Sequence, residues 1–257
     1  MVELTFLGTG TSNGVPIIGC ACEVCRSDDP RDTRSRSSAV VRVDGRTLLI
    51  DTATELRHQA LAAGLDRIDG VLMTHAHADH TGGFDDLRRF NELQQEWISV
   101  YCNERTAEML RERYAYTFTE QYPFFGGKPD LRLVEVENPF VVSGIEITPI
   151  PLMHGRLPIL GFRVGDLAYL TDAKTIPDES WPLLDGVDTL VVNALRERAH
   201  PTHFNFDEAI ATVQRIRPRQ AFLTHMSHET SHQQIIALLP EGISPAFDGL
   251  TIRSAAE

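Results

Sequence analysis

The chain has 257 residues, of which 42% are hydrophobic and 23% charged, the proportions of an ordinary soluble globular protein. Its formal net charge of −12 argues against long nucleic acid as the main partner, because proteins that grip a phosphate backbone present a basic face. It contains no apolar run of about 18 or more residues, so neither a transmembrane helix nor a membrane partner is expected.

Residues 1–8 are the first predicted strand and lack the basic start of a signal peptide, so a cytoplasmic location is expected. Strand-like and helix-like segments then alternate. Further strands are predicted at 48–51, 71–74, 98–102, 145–150, 190–192 and 221–224, with hairpins at 160–171 and 247–252. Helices are predicted at 55–63, 79–95, 104–116, 206–216 and 231–239. Because no repeat or linker interrupts this alternation, we predict a single α/β domain over residues 1–257.

The strongest chemical signal follows the strand at 71–74, in the motif His75-Ala76-His77-Ala78-Asp79-His80. Imidazole and carboxylate side chains bind borderline ions such as zinc and manganese. In an extended loop His75 and His77 point to the same side and can share one ion, while Asp79 and His80 can reach a second ion from the next turn. The alternative is a solvated histidine-rich loop.

Three more metal-binding side chains lie at or near predicted strand ends. His154 comes after the strand at 145–150, Asp172 directly follows the hairpin at 160–171, and His225 directly follows the strand at 221–224. Each of them alone is more often a structural hydrogen-bonding residue. Together with the histidine motif they supply enough ligands for a site with two metal ions.

Three of the four cysteines, Cys20, Cys22 and Cys25, are spaced Cys-x-Cys-x-x-Cys. In the cytoplasm such a cluster is more often a metal site than a set of disulfides, and three thiols are one ligand short of a closed zinc site. A reactive or redox-sensing thiol cluster is the alternative interpretation. Cys102 lies in an apolar strand and is expected in the core.

These motifs resemble the metallo-β-lactamase superfamily, and within it the PhnP-type phosphodiesterases, which open a cyclic phosphate on phosphoribose. The resemblance runs from the first strand to the last predicted hairpin. Besides the histidine motif and the three strand-end ligands, the shared stretches are Leu7-Gly8-Thr9-Gly10-Thr11, Gly14-Val15-Pro16, the cysteine cluster, Pro151-Leu152-x-His154, Leu223-Thr224-His225-x-Ser227-His228 and Phe247-Asp248-Gly249.

The resemblance implies a four-layer αβ/βα sandwich and two catalytic divalent ions, Mn²⁺ or Zn²⁺, whose bridging hydroxide attacks the substrate. It implies that one ion is held by His75, His77 and His154 and the other by Asp79, His80 and His225, with Asp172 between them. His203 matches an additional active-site histidine, to which we assign phosphate contact and help with the leaving group, and His200 is the rival for that role. It also implies a structural Zn²⁺ held by Cys20, Cys22, Cys25 and His228, with His232 as a substitute.

The sequence hypothesis is therefore a cytoplasmic, metal-dependent hydrolase of small, cyclic phosphodiesters. Alternatives on the same fold are a tRNA 3′-processing enzyme, a thioester hydrolase and a PqqB-type protein of cofactor biosynthesis. A non-catalytic metal-binding or sensor protein is a different class of function. The partner expected is a small phosphoester, and a homodimer is a family expectation. The physiological ester and the choice between manganese and zinc stay open.

Overall fold

The computed structural model describes residues 1–119 and 127–254, which form two mixed sheets of seven strands each. The first sheet has the order β14-β1-β2-β3-β4-β5-β6. Its strands are β1 (Val2–Gly8), β2 (Ser38–Val43), β3 (Arg46–Ile50), β4 (Gly70–Leu72), β5 (Ile98–Cys102), β6 (Leu131–Glu135) and β14 (Thr251–Arg253). The second sheet has the order β13-β12-β11-β10-β9-β8-β7. Its strands are β7 (Phe140–Val142), β8 (Ile145–His154), β9 (Leu157–Val164), β10 (Leu167–Leu170), β11 (Thr189–Asn193), β12 (Gln220–Thr224) and β13 (Ile243–Pro245).

Helices lie outside both sheets. They are α1 (Leu56–Ala62), α2 (Ala78–Thr81), α3 (Leu87–Gln94), α4 (Glu104–Arg113), α5 (Ala115–Phe118), α6 (Phe206–Ile216) and α7 (His232–Leu238). Short 3-10 helices occur at Val24–Arg26, Pro30–Asp32, Phe84–Asp86 and Asp178–Leu184. Within residues 1–119 and 127–254, no helix is both long enough and apolar enough to cross a membrane.

Three apolar clusters define the layers. The central cluster lies between the sheets and contains Phe6 and Leu72 from the first sheet and Phe162 and Val191 from the second. An outer cluster joins the first sheet to helices α1, α3 and α4, and the other joins the second sheet to α6 and α7. The order helix, sheet, sheet, helix confirms the predicted αβ/βα sandwich. Cys102 is fully buried in an outer cluster, as predicted.

The parallel strands of both sheets bring their carboxyl ends to the same region. Strands β3 to β6 are parallel to one another, and so are β10 to β13. Residues just past three of these strands, Asp51, Asp172 and His225, have φ values of 58°, 57° and 57°. Non-glycine residues rarely adopt this left-handed backbone, and strain of this kind concentrates at functional sites.

The predicted helices at 206–216 and 231–239 are confirmed, and each begins with a capping box, at Asn205 and at Ser231. The single helix predicted at 79–95 is wrong, because the chain breaks after α2 at Gly82-Gly83. The N–H of Gly83 donates to the carbonyl of Thr52 at 2.9 Å, and a Cβ on Gly83 would lie 2.4 Å from the carbonyl oxygen of Ala53. This close approach requires glycine and presses α2 against the end of β3.

The hairpin predicted at 247–252 is also wrong. Strand β14 pairs with β1 of the first sheet, whereas the preceding strand, β13, belongs to the second sheet. The segment between them crosses from one sheet to the other. Asp248 anchors the crossing, since its carboxylate accepts the N–H and hydroxyl of both Thr9 and Ser35.

Candidate metal centre

The seven metal ligands expected from the sequence meet at the carboxyl ends of the strands. His75, His77, Asp79 and His80 come from the segment between β4 and the end of α2, His154 ends β8, Asp172 follows β10 and His225 follows β12. The imidazole rings contact one another, with centroids 4.6 Å apart for His75 and His77, 5.1 Å for His77 and His154, and 5.7 Å for His80 and His225. Two sheets therefore contribute to one site.

Asp172 lies at the centre of the site and is 1% exposed. Its Oδ1 atom is 3.4 Å from Nε2 of His80 and 3.2 Å from Nδ1 of His225. Its Oδ2 atom is 3.8 Å from Nε2 of His75 and 3.8 Å from Nδ1 of His203. The two carboxylate oxygens thus approach two different pairs of histidines.

The donor atoms fall into overlapping groups. His75, His77 and His154 bring ligand atoms within 4.8 Å of one another, and so do His75, His80 and Asp172. Asp79 joins through His80, because its Oδ2 atom is 3.4 Å from Nε2 of that ring. The group of three histidines matches the set expected for one ion.

Asp51, just past the end of β3, orients two of the histidines, a role that the sequence did not reveal. Its Oδ2 atom accepts the Nδ1–H of His80 at 2.7 Å and the hydroxyl of Thr74 at 2.8 Å. Because the Thr74 hydroxyl donates to Asp51, it accepts the Nδ1–H of His75 at 3.0 Å. These hydrogen bonds leave Nε2 of each ring, the atom that faces the site, as the nitrogen available to a metal ion.

His154 is fixed in the same way, since its Nδ1–H donates to the carbonyl of Thr202 at 2.8 Å. His203, from the same loop, lies between His154 and His225, with ring centroids 4.5 Å and 4.9 Å away. His200 is one ring further out, 5.0 Å from His203, and its Nδ1 lies 3.2 Å from the hydroxyl of Thr202. Of the two rival histidines, His203 is the one beside Asp172.

The protonation states suit metal binding. Burial lowers the pKa of His75 well below its usual value and lowers the pKa of His203 to about 3. Burial opposes ionisation of Asp172, but His225, His80 and His75 outweigh it and hold its pKa well below the usual range. Burial also opposes the charge on His80, yet Asp172, Asp51 and Asp79 raise its pKa well above normal. Apart from the proton on His80, these donors are already deprotonated, as metal binding requires.

Three nitrogens in the site make no hydrogen bond to any residue that the structure describes. They are Nε2 of His75, Nε2 of His80 and Nδ1 of His203, all buried. Buried polar atoms are nearly always paired, so each unpaired atom needs an explanation. Two of them are the Nε2 atoms that Asp51 and Thr74 turn toward the site, so this donor set fits divalent ions of the zinc and manganese type.

Replacing Asp51 with asparagine is expected to lower the affinity of the site for divalent metal about 10–100-fold, because loss of such an outer carboxylate misorients the ligand. Asparagine tolerates the left-handed backbone of Asp51, so the fold should persist. Isothermal titration of the metal-free protein with Mn²⁺ or Zn²⁺ measures the change. Asp44→Asn is the matched control, since Asp44 has a φ of 49° and lies exposed in a turn. Equal affinities in the two variants would contradict the role of Asp51.

The cysteine site is a second cluster, made of Cys20, Cys22, Cys25 and His228, whose ligand atoms lie within 4.8 Å of one another. Nδ1 of His228 is 3.4 Å from Sγ of Cys20, 3.4 Å from Sγ of Cys22 and 3.5 Å from Sγ of Cys25. A tetrahedral zinc with Zn–S of about 2.3 Å and Zn–N of about 2.0–2.1 Å has S···N edges of about 3.5 Å. The geometry therefore fits zinc.

His232, the substitute ligand, is not part of the cysteine site as the structure describes it. The ring of His232 packs edge-on against Phe247, with centroids 5.8 Å apart. The backbone N–H of His232 donates to Oδ1 of Asp32 at 2.6 Å. The backbone N–H of Cys25 donates to Sγ of Cys22 and lowers the pKa of that thiol to about 6. Burial raises the pKa of Cys25 to about 11, so of these two thiols Cys22 ionises more readily.

A family model described as a β-lactamase superfamily domain matches residues 46–226 of this chain. Among solved structures, a diphosphatase from the PhnP family is similar over 99% of this chain and 98% of its own, with 37% identity and a TM-score of 0.92. That level of identity extends the likeness from the fold to the sequence.

Two curated relatives carry other names. The octanoyltransferase of Porphyromonas gingivalis is 42% identical over 250 residues, which are 95% of this chain and 50% of that protein. The chain thus spans half the length of this relative. The ribonuclease Z of Mycolicibacterium paratuberculosis is 31% identical over 265 residues, covering 88% of this chain and 86% of that protein.

Proposed function

The chain belongs to the metallo-β-lactamase superfamily, close to its PhnP-type members, and we infer that it is a metal-dependent hydrolase. We propose that it uses two divalent ions, Mn²⁺ or Zn²⁺, to hydrolyse small phosphodiesters, with cyclic phosphates as the preferred class. Its proposed catalytic residues are Asp79 and His203. The net charge of −12 supports a small substrate over long nucleic acid.

One observation carries the proposal. Asp172 directs Oδ1 toward His80 and His225, at 3.4 Å and 3.2 Å, and Oδ2 toward His75, at 3.8 Å. A carboxylate placed between two groups of imidazoles would help to hold a pair of ions, one with each group. Such pairs, about 3.5–4 Å apart, are characteristic of enzymes that hydrolyse phosphoesters.

When bound, the ions supply positive charge for the phosphoryl oxygens and lower the pKa of an attacking water. The residues of the chain would hold the ions and orient the substrate. His75, His77 and His154 form one group, while Asp79, His80 and His225 form the other. His203 is close enough to Asp172 to contact a phosphoryl group held at the site. As a neutral imidazole, His203 donates a hydrogen bond to the phosphoryl group. A phosphate anion beside it raises its pKa, so His203 can take up the proton released by the attacking water and pass it to the leaving group.

Each of two relatives suggests a different alternative substrate. The 37% identical structure is a diphosphatase, so a diphosphate linkage between two organic groups is the alternative phosphoryl substrate. The 42% identical relative is named an octanoyltransferase, so an octanoyl thioester is the alternative acyl substrate. In thioester hydrolysis the same kind of metal would polarise a neutral carbonyl group instead of a phosphoryl group.

The test is hydrolysis of a substrate panel by the manganese- or zinc-loaded protein, with Asp79→Ala as the control. The panel contains a bis-aryl phosphodiester, a five-membered cyclic phosphate, a phosphomonoester, a dinucleoside diphosphate, an octanoyl thioester and a tRNA precursor. Turnover of the diester and cyclic phosphate, lost in Asp79→Ala, is the expected result. Turnover confined to the diphosphate, the thioester or the tRNA would overturn the substrate class, and no turnover would favour a non-catalytic metal-binding protein.

We also propose that the cysteine site holds a structural Zn²⁺. The sulfur-to-nitrogen distances of 3.4–3.5 Å around His228 support it. His225 and His228 belong to the same short segment, so zinc would tie the loop of Cys20, Cys22 and Cys25 to a ligand of the candidate metal centre. This site supports the neighbouring ligand and takes no part in the reaction.

A further inference from the structure

A buried arginine lies beneath the segment that carries His228. Arg34 is 0% exposed, although guanidinium groups are almost never fully buried unless they are paired. Its Nη1 atom donates to the carbonyl of Ser227 at 2.6 Å, and its Nη2 atom donates to the carbonyl of Thr230 at 3.1 Å. One planar group therefore holds the main chain on both sides of His228.

Asp32 completes this arrangement. Its Oδ1 atom lies 3.2 Å from Nη2 of Arg34 and also accepts the N–H of His232 at 2.6 Å. The side chains of Arg34 and Asp32 thus grip the segment 227–232 at three main-chain positions. Burial lowers the pKa of Arg34, and the carboxylate of Asp32 opposes this change.

The backbone of Arg34 holds the other half of the cysteine site. Its N–H donates to the carbonyl of Val15 at 2.8 Å, and its carbonyl accepts the N–H of Val15 at 2.7 Å. Val15 leads directly into the loop of Cys20, Cys22 and Cys25. Arg34 therefore joins the thiol-bearing loop to the histidine-bearing segment without any metal, alongside the main-chain bonds of Met226 with Thr9 and Thr11.

The opposite side of the segment is held more weakly. Glu229 forms ion pairs with Arg196 and Arg198, at 2.9 Å each, but its side chain is 30% exposed and that of Arg198 is 71% exposed. Exposed ion pairs are screened by water and contribute little. The buried hydrogen bonds from Arg34 therefore contribute more to the position of His228 than these ion pairs do, beside the main-chain bond from the N–H of Ser227 to the carbonyl of Leu195.

We propose that Arg34 is a positioning residue that sets His228 in place for the three cysteines before zinc binds. This inference rests on the structural zinc proposed above. A ligand that is already in place loses little freedom on binding, which raises affinity. Arginine is required because its planar fork reaches two carbonyls and a carboxylate together, whereas lysine presents a single ammonium.

The test is the zinc affinity of the full-length Arg34→Met variant, measured by competition with a chelator. The expected result is a loss of about 10–100-fold relative to the unmodified protein, the range found for residues that orient metal ligands. Co²⁺ replacing Zn²⁺ gives a second readout, because thiolate-to-cobalt absorption arises only at the cysteine site and not at the His/Asp site. We expect that absorption to weaken or shift in the variant.

Glu229→Gln is the matched control, since it removes the exposed ion pairs of the same segment and should leave the affinity unchanged. Arg34→Lys should lose affinity to an intermediate extent, and it serves as the test if Arg34→Met does not fold. Affinity within twofold of the unmodified protein in the folded Arg34 variant would overturn the proposal, even with a lower melting temperature. Cobalt absorption that survives Cys22→Ser would instead overturn the zinc site itself.

Discussion

Replacing Asp172 with asparagine is expected to reduce kcat by about 10³-fold, equivalent to about 4 kcal/mol of transition-state stabilisation. Both carboxylate oxygens of Asp172 face histidines, so the amide removes the negative charge between the two groups of ligands. Asparagine retains the size of the side chain and tolerates the φ of 57°. The measurement is steady-state turnover of the substrate identified by the panel, together with metal content by mass spectrometry.

The fold of the Asp172→Asn variant should persist, because strands β10 and β11 are paired along their length independently of this side chain. Asp44→Asn again supplies the control, as the same substitution at an exposed turn with left-handed backbone. Activity of Asp172→Asn within tenfold of the unmodified protein, with unchanged metal content, would exclude a bridging role. That outcome would also remove the observation that favours phosphoester chemistry.

Cys22→Ser is expected to lose one zinc per chain and to lower the free energy of unfolding. When free zinc exceeds the dissociation constant by 100–1,000-fold, bound zinc stabilises the folded state by about 2.7–4.1 kcal/mol. For a chain of this size the loss corresponds to a fall in melting temperature of roughly 10 °C. Metal content by mass spectrometry and thermal unfolding followed by circular dichroism provide the two measurements.

Cys102→Ser is the matched control for Cys22→Ser, because it makes the same substitution at a cysteine that is 0% exposed in the core. A hydroxyl in that position has to leave water, so Cys102→Ser should lose stability while keeping its full zinc content. If both variants lost stability equally and neither lost zinc, the cysteine site would be a structural thiol cluster without metal.

The predicted fold and most candidate ligands follow from local rules. Alternating strands and helices indicate an α/β domain, the resemblance implies the sandwich, and side chains just past parallel strands share one edge of a sheet. His75, Asp172 and His225 therefore meet as predicted, although 97 residues separate His75 from Asp172 along the chain. The cysteine spacing likewise indicates a site that lacks one ligand, and the resemblance named His228 as that ligand.

Other features depend on contacts that no local pattern carries. In the sequence, Asp51 is only the last residue of a predicted strand. In the structure its carboxylate orients His80, which lies 29 residues later. The segment 79–95 has the apolar spacing of one helix, but the chain turns at Gly83 because the main chain of residues 52 and 53 lies against it. No sequence pattern distinguishes Arg34 from a surface arginine. In the structure it is buried against carbonyls that lie 193 and 196 positions later in the chain.

The sequence by itself determined the order of strands and helices and the set of imidazole, carboxylate and thiol donors, and its resemblance to a known superfamily implied the layered fold. Residue types and strand-end spacing carry that information because backbone periodicity controls which side chains share an edge. Only the tertiary structure decided which nitrogen of His75, His80 and His154 faces the site, which carboxylate orients His80, and which buried cation holds the segment of His228. Those outcomes depend on hydrogen-bond partners that become neighbours only when distant strands pack together.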